Sequence, residues 1–326
     1  MPYCIGMRPV IGLFALALAL IAPLSDVHAQ KWPDRPVKII LPYAPGGATD
    51  TIGRPWAEML SRAFGQQFVI ENRGGASGMI GVEATVKSAP DGYTFLLTPN
   101  SAITIVPSLR KASYDATKDL APVARVGDII GGFVIHPSVG VKTMQELIAY
   151  AKKNPGKLSF GSAGLGTSTH LRLEMLNLRA GINILHVPYR GSADALSDLL
   201  PGNVQLMNEI IVLPHVKSGK LILLAINHSQ RHPDFPDVPT LTEAGIKNAD
   251  VPIWFALWAP AGTPKDIIDR LNAKVVEIAK TDDMKAKMRA ISVSVPLQTP
   301  EELGRHLRAD IKLNLEVINA AHIKIE

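Results

Sequence analysis

Two stretches decide the fold. Val37-Lys38-Ile39-Ile40-Leu41 runs into Pro42-Tyr43-Ala44-Pro45-Gly46-Gly47-Ala48-Thr49-Asp50 and then into a helical pattern. Leu158-Ser159-Phe160-Gly161 runs into Ser162-Ala163-Gly164-Leu165-Gly166-Thr167-Ser168-Thr169-His170 and again into a helical pattern. Each reads as a buried strand, a loop rich in glycine and hydroxyls, and a helix N-terminus. Their separation in the chain predicts two α/β domains, each offering one loop to a shared cleft.

The rest of the chain extends the pattern. Further strands are expected at Phe68–Ile70, Tyr93–Thr98, Phe133–His136, Ile184–Val187, Val204–Met207, Leu221–Ile226 and Trp254–Ala259. Helical stripes fall at Ile52, Trp56, Leu60 and Ala63, at Leu171, Met175 and Leu178, and at Ile267, Leu271, Val275 and Ile278. A last stripe, Leu303, Leu307, Ile311, Leu315 and Ile318, follows Thr299 and Glu302, which have capping-box spacing. Near-continuous apolar strands alternating with helices predict α/β architecture, with mostly parallel sheets covered on both faces. The helix-rich end from Thr263 is expected to pack back on the first domain.

Composition narrows the function classes. The 326 residues are 47% hydrophobic and 19% charged, which excludes a disordered polyelectrolyte. One cysteine excludes a disulfide scaffold or a multi-cysteine metal site. Lys and Arg exceed Asp and Glu by 34 to 29, and the basic residues form no stripe of the kind nucleic acid requires. At the N-terminus Arg8 precedes an apolar run, Val10 to Ala22, that stops at Pro23. The run falls short of the ~20 residues that span a bilayer. Val27 and Ala29 stand at the −3 and −1 positions before Gln30, so residues 1–29 read as a secretory signal peptide cleaved near Ala29/Gln30. That predicts an exported protein. Removing this segment takes away Cys4 together with Arg8 and Asp26, leaving the net charge at +5.

The loops suggest anion chemistry. A helix N-terminus exposes unpaired N–H groups and a partial positive charge. Glycine lets backbone approach a ligand closely, and Thr49, Thr167, Ser168 and Thr169 add hydroxyls without charge. Arg73-Gly74-Gly75-Ala76-Ser77-Gly78 is a third candidate of this kind. His170 reads either as a ligand contact or as part of the helix start, and Asp50 either as a partner for a ligand amine or as a helix-dipole acid. Sharper motifs fail. Gly164-Leu165-Gly166 lacks the third glycine of a dinucleotide fingerprint, and no Walker lysine follows a glycine loop. Gly75-Ala76-Ser77-Gly78 lacks the spacing of a nucleophile elbow, and His228 and His232 sit in a polar, proline-broken run. No catalytic triad, carboxylate pair, cofactor motif or metal cluster is legible.

With these segments in place, the chain resembles the substrate-binding proteins of tripartite tricarboxylate transporter systems, the Bug (TctC-like) family. The resemblance rests on Trp32-Pro33-Asp34-Arg35-Pro36-Val37-Lys38-Ile39-Ile40, Pro45-Gly46-Gly47-Ala48-Thr49-Asp50, Glu71-Asn72-Arg73-Gly74-Gly75-Ala76 and Ala89-Pro90-Asp91-Gly92-Tyr93-Thr94. It continues through Asp119-Leu120-Ala121-Pro122-Val123, Gly161-Ser162-Ala163-Gly164 with Gly166-Thr167 and His170-Leu171, and His186-Val187-Pro188-Tyr189-Arg190-Gly191. Pro236-Asp237-Val238-Pro239-Thr240 and Ala259-Pro260-Ala261-Gly262-Thr263-Pro264 complete an ordered set spanning the mature chain.

The resemblance implies a two-lobed periplasmic-binding-protein fold (type II) with two crossover strands. Lobe 1 is expected over 30–126 plus 254–326 and lobe 2 over 127–253. It implies a receptor, not an enzyme, that captures a small mono- or dicarboxylate and delivers it to a membrane permease, with no cofactor. A monomer is expected. A sensor role toward a membrane histidine kinase and a secreted hydrolase are the alternatives. Carried over residue by residue, the ligand lies among Tyr43, Ala44, Gly47, Thr49 and Asp50 on one side. Ser162, Gly166, Thr167, Ser168 and His170 face it from the other, with Ser77, Asn100, Ser101 and Tyr189 as walls. Where the family often has Asp-Asn after the strand beyond His186–Tyr189, this chain has Asn208-Glu209, and Asn208 is taken as the pocket residue. Two further departures are Ala112-Ser113-Tyr114-Asp115 for the family's Leu-Pro-Tyr-Asp, and Leu313-Asn314 where a Trp is common.

Overall fold

The computed structural model describes residues 1–4, 32–228, 230–247, 249, 253–320 and 323. Residues 5–29 of the expected signal segment and its cleavage point lie outside the described residues. Met1–Asp34 and Arg35–Glu326 are two units. In the first, residues 1–4 are exposed and irregular. Everything below concerns the second. Among the described residues no helix is long and apolar enough to cross a membrane.

The strands form two sheets. The first has the order β11-β4-β10-β3-β1-β2, from β1 (Val37–Leu41), β2 (Phe68–Asn72), β3 (Thr94–Pro99), β4 (Leu120–Ile129), β10 (Trp254–Pro260) and β11 (Val293–Ser294). The second has the order β7-β6-β8-β5-β9, from β5 (Gly132–Ile135), β6 (Ser159–Ser162), β7 (Leu185–Pro188), β8 (Leu206–Glu209) and β9 (Ile222–Ile226). The chain leaves the first sheet at Ile129, enters the second at Gly132 and returns to the first at Trp254. Both sheets are mixed. Parallel pairing holds in the three-strand units β3-β1-β2 and β7-β6-β8 that carry the loops. It gives way to antiparallel pairing at β4, β5, β9, β10 and β11.

In both parallel units the central strand comes first in the chain, and the next two strands flank it on opposite sides. The loops leaving β1 and β6 therefore open at points where the strand order reverses, which is where open α/β sheets form crevices. Val37, Ile39, Ile40 and Leu41 are fully buried, so β1 is covered on both faces. Helix Ala48–Phe64 covers one face with Ile52, Trp56 and Leu60, while Ala63 is exposed. Trp56 Nε1 donates to the Val126 carbonyl at 2.9 Å, which ties this helix to β4. On the other side Gly81 presses on the chain at Pro42. A Cβ there would lie 2.6 Å from Pro42 Cα and 2.9 Å from the Arg73 carbonyl, so only glycine lets helix Met79–Val86 support the first loop.

Strand β4 escapes the periodic reading because Pro122, Arg125, Gly127 and Asp128 interrupt its apolar pattern. It is nonetheless largely buried, and its pairing with β10 shifts register twice. Arg125 is accommodated by donating from Nε and a terminal nitrogen to the two oxygens of Asp128 (2.6 and 2.8 Å), with its guanidinium over Trp254. Burial raises the Asp128 pKa, against the pull of Arg125. A charged pair thus stands inside a strand, which no apolar count registers.

The last helix, Pro300–Ala320, begins with the predicted box: Thr299 N–H donates to Glu302 Oε2 and Glu302 N–H to Thr299 Oγ1. Its buried face is not the predicted stripe. Leu303, Leu307, Asp310, Asn314 and Ile318 are buried, whereas Leu315 is 40% exposed and Ile311 only partly covered. The polar members are bonded to one another and to the first sheet's loops: Asp310 Oδ2 accepts from Asn100 Nδ2, Thr104 Oγ1 and Asn314 Nδ2 at 2.8–3.0 Å. The helix also spans more than was expected of it. Leu303 and Leu307 join the core of the first sheet, but Ile318 joins that of the second.

Candidate functional site

The loop after β6 meets the loops after β2 and β3. Ser77 Oγ donates to the Leu165 carbonyl at 2.6 Å, and Ser168 Oγ donates to Asn100 Oδ1 at 3.0 Å. Gly164, at φ +131°, permits the approach, since a Cβ there would fall 3.1 Å from Ser77 Oγ. Between the loops lies a small cavity of about 30 Å³. That is far below the ~300–1,000 Å³ usual for small-molecule sites, so a bound ligand requires the loops to part from this arrangement.

Of the residues expected around a ligand, Tyr43, Ala44, Gly47, Thr49, Ser101, Thr167 and Ser168 line this cavity. Gly47 is the N-cap of helix Ala48–Phe64 and has no side chain to bond the first-turn N–H groups, so they stay available at the cavity wall. Thr167 caps helix Ser168–Ala180 by accepting from His170 N–H, and its hydroxyl also donates to the Gly164 carbonyl at 2.7 Å. Tyr43 hydroxyl donates to the Ser77 carbonyl at 3.0 Å, and burial pushes its pKa up to about 12.

The other expected residues stand behind the lining and brace it. Asp50 accepts from Gly46 N–H, Arg54 Nε and Asn72 Nδ2, which folds the first loop back on its own helix. Burial opposes its ionisation, but these donors together hold its pKa below the usual carboxylate value. Of the two readings of Asp50, the structure carries the helix-start acid. Ser77 is the latch to Leu165, and Asn100 relays between Ser168 and Asp310. Gly166 N–H donates to His170 Nδ1, and the His170 ring stacks on His186 at 3.9 Å. Tyr189 hydroxyl donates to Asp198 at 2.7 Å. Asn208 Oδ1 accepts from Arg172 at 2.6 Å.

Ser162 Oγ lies 2.6 Å from His186 Nε2, the one serine–histidine contact among the described residues at this site. Ser162 is wholly buried, also bonds Gly164 N–H, and is not on the cavity wall. Burial, with His170 adding repulsion, pushes the His186 pKa down to about 3. The pair fixes the loop rather than presenting a nucleophile.

Sequence reasoning missed Gly191, Ser192, Glu209, Ile253 and Phe255, all on the lining. Gly191-Ser192 repeats the signature of the other loops: it follows strand β7 and opens helix Ser192–Leu199. Glu209 adjoins the residue that was picked. Neighbouring residues of a strand point to opposite faces, so with Asn208 turned to Arg172, Glu209 faces the cavity. Among the described lining residues there is no Lys, Arg or His, and Glu209 is the one acid.

Two α/β sheets, each extending a glycine- and hydroxyl-bearing loop to one cavity, define a solute receptor of the periplasmic-binding-protein type. Residues 52–318 match the model of the tripartite tricarboxylate transporter family receptor, and the chain belongs to that family. Protein BugT of Bordetella pertussis (strain Tohama I) is 37% identical over 324 residues, covering 97% of this chain and 98% of its own. Among solved structures, R. palustris Rpa4515 with adipate superposes with a TM-score of 0.87 at 33% identity, covering 90% of this chain and 99% of that one. The periplasmic binding protein BugD gives a TM-score of 0.86 at 33% identity, covering 90% and 100%.

Proposed function

We propose that the protein is a periplasmic receptor that closes on one small organic acid and delivers it to a tripartite tricarboxylate-type membrane permease. The observation that carries this reading is the cavity wall: helix-start backbone and hydroxyls from both sheets, without a lining cation among the described residues. Such a wall holds a carboxylate by neutral donors, which costs less desolvation than a buried ion pair. The adipate in Rpa4515 supports a carboxylate as the ligand class. We assign lobe 1 to 30–126 plus 254–326 and lobe 2 to 127–253, in keeping with the chain's passage between the sheets. Closure brings Ser77 to Leu165 and Ser168 to Asn100, and a ligand that bonds both loops favours the shut form by its differential affinity. Residues 1–29 are the export signal, and the mature chain acts as a monomer without catalysis.

Calorimetry and thermal-shift screening of the purified mature chain against mono- and dicarboxylates test this. At least one acid should stabilise the protein and bind in one-to-one stoichiometry. Stabilisation by amines or sugars, with every acid inert, refutes it.

A further inference from the structure

Glu209 closes strand β8 at the cavity and is 4% exposed. Its Oε1 accepts from Ser192 Oγ at 2.8 Å. Its other oxygen, Oε2, is buried and has no hydrogen-bond partner among the described residues. A buried carboxylate oxygen left unpaired is unfavourable, and native proteins rarely retain one without a use. Here the open side is the ligand cavity.

We propose that Glu209 is a specificity-determining residue whose Oε2 receives a hydrogen-bond donor of the ligand, so that the captured acid also carries an amine, amide or hydroxyl. The assignment rests on the organic-acid reading above. The ligand carboxylate lies against the loop hydroxyls and helix starts, and its donor group faces Glu209. An ammonium serves best, because it balances the one acid on a wall that has no cation of its own among the described residues.

The surroundings agree with this. Burial raises the Glu209 pKa, while Ser192, the charge of Arg172 and Ile210 N–H act the other way. Arg172 does not take the role of partner. It is wholly buried and bonds Asn208 Oδ1 at 2.6 Å; with the Asn227 amide turned oxygen-first, it also bonds that residue at 2.8 and 2.9 Å. Tyr43, the other titratable group near Glu209, gives its proton to the Ser77 carbonyl. The donor that completes Glu209 therefore comes from the ligand. An acid of the same length without that donor leaves Oε2 unpaired in the shut form, and such a site discriminates against it.

The test is matched-pair calorimetry on the wild-type chain: succinate against malate and aspartate, glutarate against glutamate, butyrate against 4-aminobutyrate, and benzoate against 4-aminobenzoate. In the series that binds, the donor-bearing member should bind at least about tenfold tighter, the size of one hydrogen bond to a charged group. Glu209→Gln, which keeps shape and the Ser192 contact, should erase that preference while still binding the unsubstituted acid. Equal or tighter binding of the unsubstituted acid by wild type overturns the role of Glu209 and leaves the receptor reading standing. An unsubstituted acid bound with proton uptake, equally well by Glu209→Gln, does the same. Failure of every acid, donor-bearing or not, overturns both.

Discussion

Replacing Ser77 by Ala separates closure from ligand contact. Ser77 Oγ lies off the cavity wall and bonds only the Leu165 carbonyl, 88 positions away on the facing loop. That 2.6 Å bond joins the two loops, so in an open form both groups turn to water. A net hydrogen bond is worth about 0.5–1.5 kcal/mol, so its loss should lower the closed-to-open ratio by a factor of about 2 to 13. Apparent affinity falls with the competent fraction, so the dissociation constant should rise by this factor for every acid that binds. Calorimetry with two acids of different shape measures it, and stopped-flow release should show most of the change in the off-rate. The melting temperature of the ligand-free protein should stay within about a degree, because the bond contributes little when the loops are apart. Unchanged affinity would falsify the latch. So would a loss confined to one acid, which would place the hydroxyl on the ligand instead.

Thr49→Val should weaken acid binding about tenfold with stability preserved, because the hydroxyl lines the cavity. Thr167→Val should cost stability as well, since Thr167 Oγ1 both caps its helix and holds the Gly164 carbonyl; urea titration separates the two variants. Asp310→Ala leaves the donors of Asn100, Thr104 and Asn314 without their shared acceptor, at about 1–3 kcal/mol for each one not rescued by water. A midpoint unchanged in denaturant would contradict that account. Asp50 has a folded pKa below its ordinary value, so its stabilisation is complete above the unfolded carboxylate pKa and is lost as pH falls through the folded one. Asp50→Asn should therefore flatten the acid limb of stability against pH, and an identical limb in both proteins would argue against it.

The sequence by itself determined the α/β class, most strands, the capping box of the last helix and the two loops, because these follow from period and local chemistry. Val37–Leu41 has no stable alternative to a buried strand, and Gly47 before Ala48 has little use other than a helix start. The separation of the two loops also indicated two domains about one cleft, and the family resemblance added the crossover strands between them. What only the tertiary structure decided is which residues partner across distance. Strand β4 stayed hidden because Arg125 and Asp128 neutralise each other inside it. The buried face of the last helix shifted from Ile311 and Leu315 to Asp310 and Asn314 because Asn100 and Thr104, about 210 positions away, supply their hydrogen bonds. The same holds at the site. Local chemistry could nominate Asn208 or Glu209 equally well, and the choice fell to strand alternation once Arg172 claimed Asn208. Hydrophobic period is written in neighbouring residues, whereas the partner that makes a buried polar group tolerable is set only when distant segments meet.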